Sequence, residues 1–544
     1  MQQTPVPAAP DGSAPVLATT VPAASAPASI PASIPTSTPA RPRMQLASHP
    51  EMGHWRLSLF GLTLGLVTGI DFSSTLMMGV ASQHIQGGVG AAPEDYLYAV
   101  SAYASTAVLM NMVLDQVARR ITYKRFTLAS LVVFILGSLI CAEFASPAGL
   151  ISGKAVQGLG AGGLFAASRI LVQLVSTPAE RGALMLRFGG GAFSMLAIAP
   201  WLTSIFLDDI GWRAVFLFQA GIALPVLLSV ALTYPTRAPR DPHPPVSTLD
   251  WPAAIAAAAG ALVFLHTLQE MRYTRFFNSL EMPLAALCGL ALFAFAGWRL
   301  YRHPDPWIDL SRLAGRQYLY GLGFYTLYYL MSSAWAFLLP SLTQTGLGLT
   351  FRTTCMLLAT SGTVATIAAI VITLGMALVF RKRRVIALGF IFYACAAMLF
   401  SHQLMPGAPD YALVPVVLLE GLTPVLLMVQ VASMTYLEVP VEDFSHAYQF
   451  KNVCKQIASA VGTGLASVFM QDGLAEHRTH LVEQVTRFNP ALQSPDALSA
   501  AGLAKISLEI DRQATLLAGM DMLHGFAVIC VLGAVFVLVQ RSFR

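Results

Sequence analysis

Residues 57–81 read LSLFGLTLGLVTGIDFSSTLMMGVA, an almost uninterrupted apolar stretch. At a rise of about 1.5 Å per residue, a helix of this length is long enough to cross the roughly 30 Å of hydrocarbon in a bilayer. Asp71 is its only ionisable residue. An ionisable side chain at this depth is costly and usually marks an ion or substrate pathway. The stretch therefore predicts a membrane helix in which Asp71 is the leading candidate for function.

The same length criterion identifies further apolar stretches along the chain. Together, the predicted spans are 57–81, 97–117, 125–145, 148–174, 184–207, 212–234, 251–270, 282–300, 317–340, 352–379, 385–404, 411–437, 446–470 and 518–540. The composition agrees, since 55% of the residues are hydrophobic and only 11% are charged, whereas soluble domains carry about 25% charged residues. We therefore predict an all-α membrane protein with 14 transmembrane helices.

The basic residues predict the orientation of these spans. An even number of spans places both termini on one side, and cytoplasmic loops are enriched in Lys and Arg. With the N-terminus inside, the clusters at 119–125 and 381–384 both face the cytoplasm. We therefore predict that both termini are cytoplasmic. The net charge of +5 is explained by these loops and does not indicate nucleic-acid binding.

Two basic turns at corresponding positions suggest an internal duplication. LDQVARRITYKRF (114–126) follows the second predicted span, and VFRKRRVIALGF (379–390) follows the tenth. We interpret the chain as an N-terminal six-helix half (49–240), an inserted helix pair (241–312) and a C-terminal six-helix half (313–544). The alternative is that any cytoplasmic loop is basic, whatever its history.

Two polar segments lie outside the predicted spans. Residues 1–48 are rich in Pro, Ala, Ser and Thr and predict a disordered cytoplasmic tail. The loop 472–516 is mostly polar but contains helix-like stretches. We predict that this loop folds as a small extracytoplasmic element.

The depth of the buried charges predicts which of them meet. Asp71 lies about 21 Å above the cytoplasmic face, and Lys154 lies about 9 Å below the outer face, so the two depths coincide in a layer of about 30 Å. We predict that Asp71 and Lys154 form a pair, and that protonation of Asp71 releases Lys154 and shifts the conformational balance. The alternative is a static ion pair that only holds the helices together.

A second acid and base lie near mid-membrane in the C-terminal half. Glu420 and Lys455 are each about nine residues into their predicted spans. They predict a second proton-carrying couple. The alternative is that Glu420 faces a water-filled vestibule and binds a cationic substrate without titrating. Arg169 lies near a cytoplasmic helix end, where a long side chain can reach the interface.

Small and aromatic residues mark two further features. Gly158 and Gly162 have the spacing that lets helix backbones approach closely, which serves either a sliding surface or static packing. Tyr325, Tyr328 and Tyr329 lie deep in the ninth predicted span. They are candidates for an aromatic cavity wall that holds planar or cationic substrates.

Several of these segments resemble motifs of the major facilitator superfamily, specifically its fourteen-helix drug:proton antiporters of the EmrB type. GIDFSSTLMMGVASQHI resembles the membrane-embedded Asp motif, with Asp71 at the Asp position. ISGKAVQGLGAGG resembles the span-four motif, with Lys154 in place of its arginine. FKNVCKQIASAVGTG, which contains Lys455, resembles the span-thirteen pattern. The resemblance covers roughly residues 50–540.

The resemblance also implies roles for residues that the depth argument does not reach. Tyr103 stands where the family usually has tyrosine, and Gln157 and Asn452 occupy motif positions. Together with the tyrosines of span nine, these side chains are predicted to line the substrate cavity. The predicted cavity residues are Tyr103, Gln157, Tyr325, Tyr328, Tyr329 and Asn452.

Two motifs depart from the family pattern. The loop that normally reads Gly-x-Leu-Ala-Asp-Arg-x-Gly is here DQVARRIT, with Asp115 replacing the first glycine and Arg119 replacing the acid. The span-five antiporter motif is APWLTS, which keeps Pro200 but loses three glycines. We expect Arg119, Arg120 and Pro200 to act in conformational change or packing, and these departures favour a specialised exporter.

The resemblance implies a secondary exporter of drugs or other amphiphilic small molecules, driven by proton influx across the inner membrane of a bacterium. It implies a proton gradient as the energy source in place of a cofactor, and the chain has no phosphate-binding loop of the Gly-x-x-x-x-Gly-Lys-[Ser/Thr] type. A periplasmic adaptor and an outer-membrane channel are implied as partners, with the loop 472–516 as a natural docking surface.

Two alternatives stay open, and a third class of function is disfavoured. The chain could export one endogenous metabolite or siderophore, or it could be a non-transporting membrane sensor. An enzyme would need clustered His, Asp and Glu side chains near one membrane face, whereas the histidines here are scattered and no Cys-x-x-Cys pair suggests a metal site. We therefore predict neither catalytic nor metal-binding residues.

Overall fold

The computed structural model describes most of the chain. The described residues are 54–176, 180–235, 250–271, 280–303, 308, 313, 315–374, 382–436, 439, 440, 443–486 and 499–540. The predicted disordered tail 1–48 lies outside them. The predicted boundaries of the two halves and of the inserted pair stay predictions.

Fourteen helices in the described part of the chain are long and apolar enough to cross a membrane. They are α1 (His54–Val80), α2 (Pro93–Ile121), α3 (Tyr123–Glu143), α4 (Pro147–Ala161 and Leu164–Val175), α5 (Arg181–Ile210), α6 (Arg213–Thr233), α7 (Trp251–Glu270), α8 (Glu281–Arg302), α9 (Arg316–Ser341), α10 (Phe351–Leu374), α11 (Lys382–Gln403), α12 (Val414–Thr423 and Gln430–Thr435), α13 (Phe444–Glu483) and α14 (Ala500–Val539). No strand occurs among the described residues. The predicted all-α fold with 14 transmembrane helices is confirmed.

The surface of the bundle is apolar, as expected of helices that face lipid. On α6, Leu224, Leu228 and Leu232 are all exposed, and their spacing of four residues puts them on one side of the helix. A soluble protein would leave such a stripe uncovered in water. The stripe is therefore accounted for by contact with hydrocarbon chains.

Glycines allow the helices that carry the buried charges to approach their neighbours closely. A Cβ atom on Gly65 of α1 would lie 2.2 Å from the carbonyl oxygen of Phe188 on α5, and one on Gly158 of α4 would lie 2.4 Å from that of Tyr103 on α2. Gly162 lies against Ala107 of α2 in the same way. These contacts fix α1 and α4 at backbone distance from their partners.

Two wider turns of helix occur, one after α9 and one within α12. A π-helical turn, Leu342–Gly346, follows α9, and another, Pro424–Val429, interrupts α12 just after Glu420. Such turns are rare and frequently occur at functional sites. The second turn places Met428 in the wall of the cavities described below.

The region 472–516, which we predicted to fold as a small extracytoplasmic element, is described in two parts. Its described parts continue α13 and α14, which are each 40 residues long and so about 60 Å, against roughly 30 Å of hydrocarbon. Arg478 of α13 donates to Asp511 of α14 over 2.7 Å, and His477 lies 2.8 Å from Asp521. These contacts hold the extended parts of the two helices together as a pair. The extended parts are continuous with the apolar parts of the same helices.

The helices α7 and α8 form a pair beside the rest of the bundle. Arg299 of α8 donates to Asp250, which precedes α7, over 2.5 Å. The side of α7 packs on α2, where Ser105 donates to the carbonyl oxygen of Ala258 over 2.7 Å. This pair leaves the centre of the bundle to the other helices.

Candidate functional site

Asp71 lies at the centre of a buried polar cluster that joins three helices. Its side chain on α1 has no solvent exposure. One carboxylate oxygen forms an ion pair with Lys455 of α13, and the other accepts a hydrogen bond of 2.5 Å from the hydroxyl group of Tyr103 on α2. The amide nitrogen of Gln456 approaches the same carboxylate at 3.4 Å. The carboxylate thus ties α1 to α2 and α13.

The predicted pairing of Asp71 with Lys154 is wrong. The ammonium group of Lys154 donates instead to Ser74, over 3.2 Å, and to Gln157, over 2.7 Å. It lies 4.4 Å above the ring of Tyr103, whose hydroxyl group donates to Asp71. Depth along a predicted span does not by itself select a partner. The direction in which each side chain leaves its helix decides the pairing.

A chain of side-chain hydrogen bonds runs away from Lys154 between α3, α4 and α6. Gln157 donates to Ser138 over 2.6 Å and to Gln219 over 2.8 Å. Gln157 is fully buried in this network and lines neither of the two cavities described below. The structure places Gln157 in a hydrogen-bond network with Lys154, and its predicted position in the wall of the substrate cavity stays a prediction.

Asn452 of α13 is also held in a closed network. Its amide group donates to the side chain of Asn111 over 2.7 Å and to the carbonyl oxygen of Gly162 over 3.0 Å. Asn452 is fully buried and lines neither of the two cavities described below. It fixes α13 against α2 and α4, and this sets the position of Lys455 one turn further along.

The predicted couple of Glu420 and Lys455 is not an ion pair. Glu420 accepts a hydrogen bond from Ser361 of α10, while Lys455 is paired with Asp71. Both side chains instead line one cavity of about 110 Å³, which we call the Glu420 cavity. Lining residues of this cavity include Phe72, Tyr328, Tyr329, Trp335, Glu420 and Lys455. Glu420 is half-buried and lines this cavity from α12.

A second cavity, of about 280 Å³, adjoins the first and has a different electrostatic character. We call it the Lys451 cavity, and its lining residues include Phe165, Arg169, Phe188, Tyr325, Lys382 and Lys451. Phe72 and Met428 line both cavities. None of the described residues that line the Lys451 cavity is an aspartate or a glutamate.

The cations of the Lys451 cavity contact neutral groups. Lys451 is only 2% exposed, and its ammonium group lies 4.0 Å from the ring centre of Phe165 and 4.4 Å from that of Tyr325. The guanidinium group of Arg169 donates to the hydroxyl group of Tyr448 over 2.9 Å. Arg169 therefore points into the bundle, contrary to the predicted position at the interface.

The three predicted tyrosines of α9 line the two cavities. Two of their rings are in cation–π contact with lysines of the protein itself. Tyr325 faces Lys451, and the ring of Tyr329 lies 5.4 Å from the ammonium group of Lys455. Tyr325 donates to the hydroxyl group of Tyr329 over 3.1 Å, and Tyr328 lines the Glu420 cavity. The aromatic wall thus solvates lysines that belong to the protein.

The two degenerate motifs form local contacts. Arg119 forms an ion pair of 2.7 Å with Asp115 on the same helix, and Tyr123 donates to the other oxygen of Asp115 over 2.9 Å. Arg120 is exposed at the end of α2. Pro200 lies within α5. The conformational roles of Arg119, Arg120 and Pro200 stay predictions.

Lys451 is the main residue that the sequence analysis missed. It lies within the quoted span-thirteen motif, four residues before Lys455. Residues four apart lie on the same face of a helix, so the spacing could have shown that two lysines face the same interior. Among the described residues, no group of His, Cys, Asp and Glu could hold a metal ion.

Comparison with known proteins assigns this arrangement to a family of transporters. The family model of the Major Facilitator Superfamily matches residues 63–463. The multidrug export protein EmrB of Escherichia coli is 21% identical over 440 residues, which cover 81% of this chain and 85% of EmrB. The probable multidrug resistance protein EmrY of Escherichia coli is 22% identical over 490 residues, covering 88% and 94%. EmrB of Haemophilus influenzae is 24% identical over 444 residues, covering 80% and 85%.

Solved structures support the same fold. The crystal structure of the POT family transporter PepTSo has a TM-score of 0.58 and 13% identity, and covers 89% of this chain and 99% of that one. A bacterial homologue of the human lysosomal transporter Spinster, in an inward-facing and unoccupied conformation, has a TM-score of 0.52 and 14% identity, covering 91% and 98%. At these identities the likeness concerns the fold alone.

Proposed function

This chain belongs to the major facilitator superfamily, and on that premise we propose that it is a secondary exporter of amphiphilic small molecules, driven by proton influx. Its similarity to EmrB and EmrY, which are named as multidrug export and probable multidrug resistance proteins, supports an exporter rather than an enzyme. The proton coupling rests on one observation, the buried ion pair between Asp71 and Lys455.

The ion pair links two helices that are far apart in the sequence. Asp71 is on α1 and Lys455 is on α13, and neither side chain has appreciable solvent exposure. Removing one charge of a buried pair strands the other at a cost of about 3–5 kcal/mol. Protonation of Asp71 neutralises the carboxylate and removes its attraction for Lys455. The contact between α1 and α13 is therefore weaker when Asp71 carries a proton.

Lys455 has a second acid within its own cavity. When Asp71 is neutral, the ammonium group can turn toward Glu420, which lines the Glu420 cavity on another helix. Loss of the proton from Asp71 draws Lys455 back. We propose that these two positions of Lys455 correspond to two conformations of the bundle, since a ligand shifts an equilibrium only by binding one state better than the other.

The proposed direction of transport follows from the predicted orientation. With both termini in the cytoplasm of a bacterium and the chain in its inner membrane, protons enter from the outside and leave to the inside. Binding of a proton to Asp71 and its later release each carry the bundle through one change of access. A substrate bound from the cytoplasm is then released outside.

Proteoliposomes with an imposed pH gradient test this proposal. Wild-type protein should move an amphiphilic substrate in response to the gradient, and Asp71→Asn should abolish the gradient-driven part because Asn carries no titratable proton. Asp250→Asn is a matched control, since it removes an equally buried carboxylate from the Arg299 ion pair outside the proposed pathway. Folding of each variant is checked by gel filtration.

The outcomes separate the proposal from its alternatives. Full gradient-driven flux in a folded Asp71→Asn variant would contradict the proton-coupling role. Flux of only one compound in a chemically broad panel would favour an exporter of one endogenous metabolite or siderophore, which the altered loop around Asp115 and Arg119 also favours. Absence of any gradient-driven flux in the wild-type protein would favour a sensor.

The extended pair of α13 and α14 supports a further part of the proposal, a periplasmic adaptor and an outer-membrane channel as partners. The two helices together exceed the length that a bilayer requires. Their linkage through Arg478 and Asp511 supports a defined helical pair as the proposed docking surface. An adaptor that docks there would receive the substrate where the exporter releases it.

A further inference from the structure

The Lys451 cavity has an excess of positive charge that no described carboxylate balances. Arg169, Lys382 and Lys451 line it, and none of its described lining residues is acidic. The Glu420 cavity beside it differs, since Glu420 and Lys455 both line that space. The imbalance is therefore a property of one cavity and not of the interior as a whole.

Lys451 is the cation for which the imbalance is greatest. Only 2% of this residue is exposed. Its ammonium group contacts a cage of three rings, those of Phe165, Tyr325 and Tyr448. Lys455, one turn further along, has Asp71 as its counter-ion. Buried charges are normally paired with an opposite charge. The rings of this cage lower the cost of burial but supply no anion.

Arg169 lies beside this ammonium group and also contacts neutral atoms. It donates to the hydroxyl group of Tyr448 and, over 2.6 Å, to the sulfur of Met185. A guanidinium group has five N–H donors, so these contacts leave donors for a further acceptor. Lys451 and Arg169 share the ring of Tyr448. The two cations therefore present one positively charged region to the cavity.

The rest of the wall suits the apolar body of a ligand. Phe188, Phe193, Ile372 and Val425 line the Lys451 cavity. Its volume of about 280 Å³ is near the lower end of the roughly 300–1000 Å³ that is usual for ligand sites. A small amphiphile with one charged end fits this combination of apolar walls and clustered cations.

We propose that the Lys451 cavity binds an organic anion, with the carboxylate, sulfonate or phosphate of the substrate held between Lys451 and Arg169. This inference rests on the proposed export function and names the substrate class. The predicted use of the aromatic wall for cationic substrates is disfavoured. A cation would meet Lys451 and Arg169, and the ring of Tyr325 already faces an ammonium group.

Binding of three matched probes to the purified protein tests the proposal. The probes are 2-naphthoate, the neutral 2-naphthamide and the cationic 2-naphthylmethylammonium, compared by isothermal titration calorimetry in nanodiscs without a pH gradient. We expect 2-naphthoate to bind at least about 10-fold more tightly than the amide, because a hydrogen bond to a charged group is stronger than one between neutral groups. The cationic probe should bind most weakly.

Variants assign the preference to the site. Lys451→Gln should weaken 2-naphthoate about 10-fold or more and leave 2-naphthamide unchanged, whereas Lys451→Arg should retain the preference. Lys124→Gln is the matched control, since Lys124 donates to the carbonyl oxygen of Ala231 and lines neither cavity. If Lys451→Gln does not fold, Arg169→Gln tests the same cluster.

The outcomes distinguish this inference from the function on which it rests. Equal affinity of wild type and Lys451→Gln for 2-naphthoate, or tighter binding of the cationic probe, would overturn the anion site. Gradient-driven flux of neutral or cationic compounds without binding of 2-naphthoate would overturn it and leave the export function intact. Binding of 2-naphthoate without gradient-driven flux would overturn the export function and leave the anion site intact.

Discussion

A double-mutant cycle on Asp71 measures which lysine is its partner. Lys455→Met and Lys154→Met are each made in the wild-type protein and in Asp71→Asn, and the free energy of unfolding is measured by titration with SDS in mixed micelles. Loss of Lys455 strands the buried carboxylate that it contacts, which costs about 3–5 kcal/mol. In the Asp71→Asn background this cost should fall below about 1 kcal/mol, because the asparagine needs no counter-ion. The expected coupling energy is therefore about 3 kcal/mol.

The same cycle with Lys154 should give a much smaller coupling energy. Lys154 donates to Ser74 and Gln157 and forms no ion pair with Asp71, whose counter-ion is Lys455. Its removal leaves the ion pair with Lys455 in place, so we expect coupling below about 1 kcal/mol. A coupling energy for Lys154 that equals or exceeds the value for Lys455 would refute the pairing described here.

Two further predictions concern packing and partners. Gly65→Val should destabilise the protein by about 3 kcal/mol, because its Cβ would lie 2.2 Å from a backbone oxygen of α5. The control is Gly221→Val, which should change the SDS midpoint little because no atom of a neighbouring helix lies within 4 Å of the added Cβ. Equal midpoints for the two variants would contradict the contact between α1 and α5. Deletion of residues 487–498 should leave flux in proteoliposomes intact but abolish the resistance of cells to an exported compound. If the deletion variant gave cells the same resistance as the wild type, that result would argue against adaptor docking at the ends of α13 and α14.

Most of the fold could be predicted because crossing a bilayer imposes a minimum length of apolar residues. Each predicted span has a counterpart among α1 to α14. The extensions of α13 and α14 were missed for the same reason, since the criterion ends a span where polar residues begin. A helix continues through polar residues as long as its backbone hydrogen bonds do.

The partners of the buried charges were harder to predict because sequence position determines only depth. Asp71, Lys154 and Lys455 were correctly expected deep in the bundle, and all three are buried. Which of these side chains meet depends on how each helix is rotated and which helices surround it. The rise per residue carries no information about either. The spacing of Lys451 and Lys455 predicts that both lie on the same face of a helix. It does not predict which aromatic rings surround Lys451.

The buried positions of Gln157 and Asn452 illustrate the same limit. A motif identifies a polar residue inside the membrane but does not say whether it faces a cavity or a neighbouring helix. Here Gln219 and Asn111 supply partners from other helices. Their positions could be predicted only with the packing of α2, α4, α6 and α13 in hand.

The measurement that tests the central claim most directly follows the proton itself. Proteoliposomes that contain a pH-sensitive dye are given substrate, and substrate-induced proton movement is recorded beside substrate exchange at equal pH. The account predicts that wild type shows both processes, and that Asp71→Asn keeps substrate exchange but shows no substrate-induced proton movement. Proton movement of wild-type size in Asp71→Asn would contradict the claim that Asp71, paired with Lys455, carries the proton.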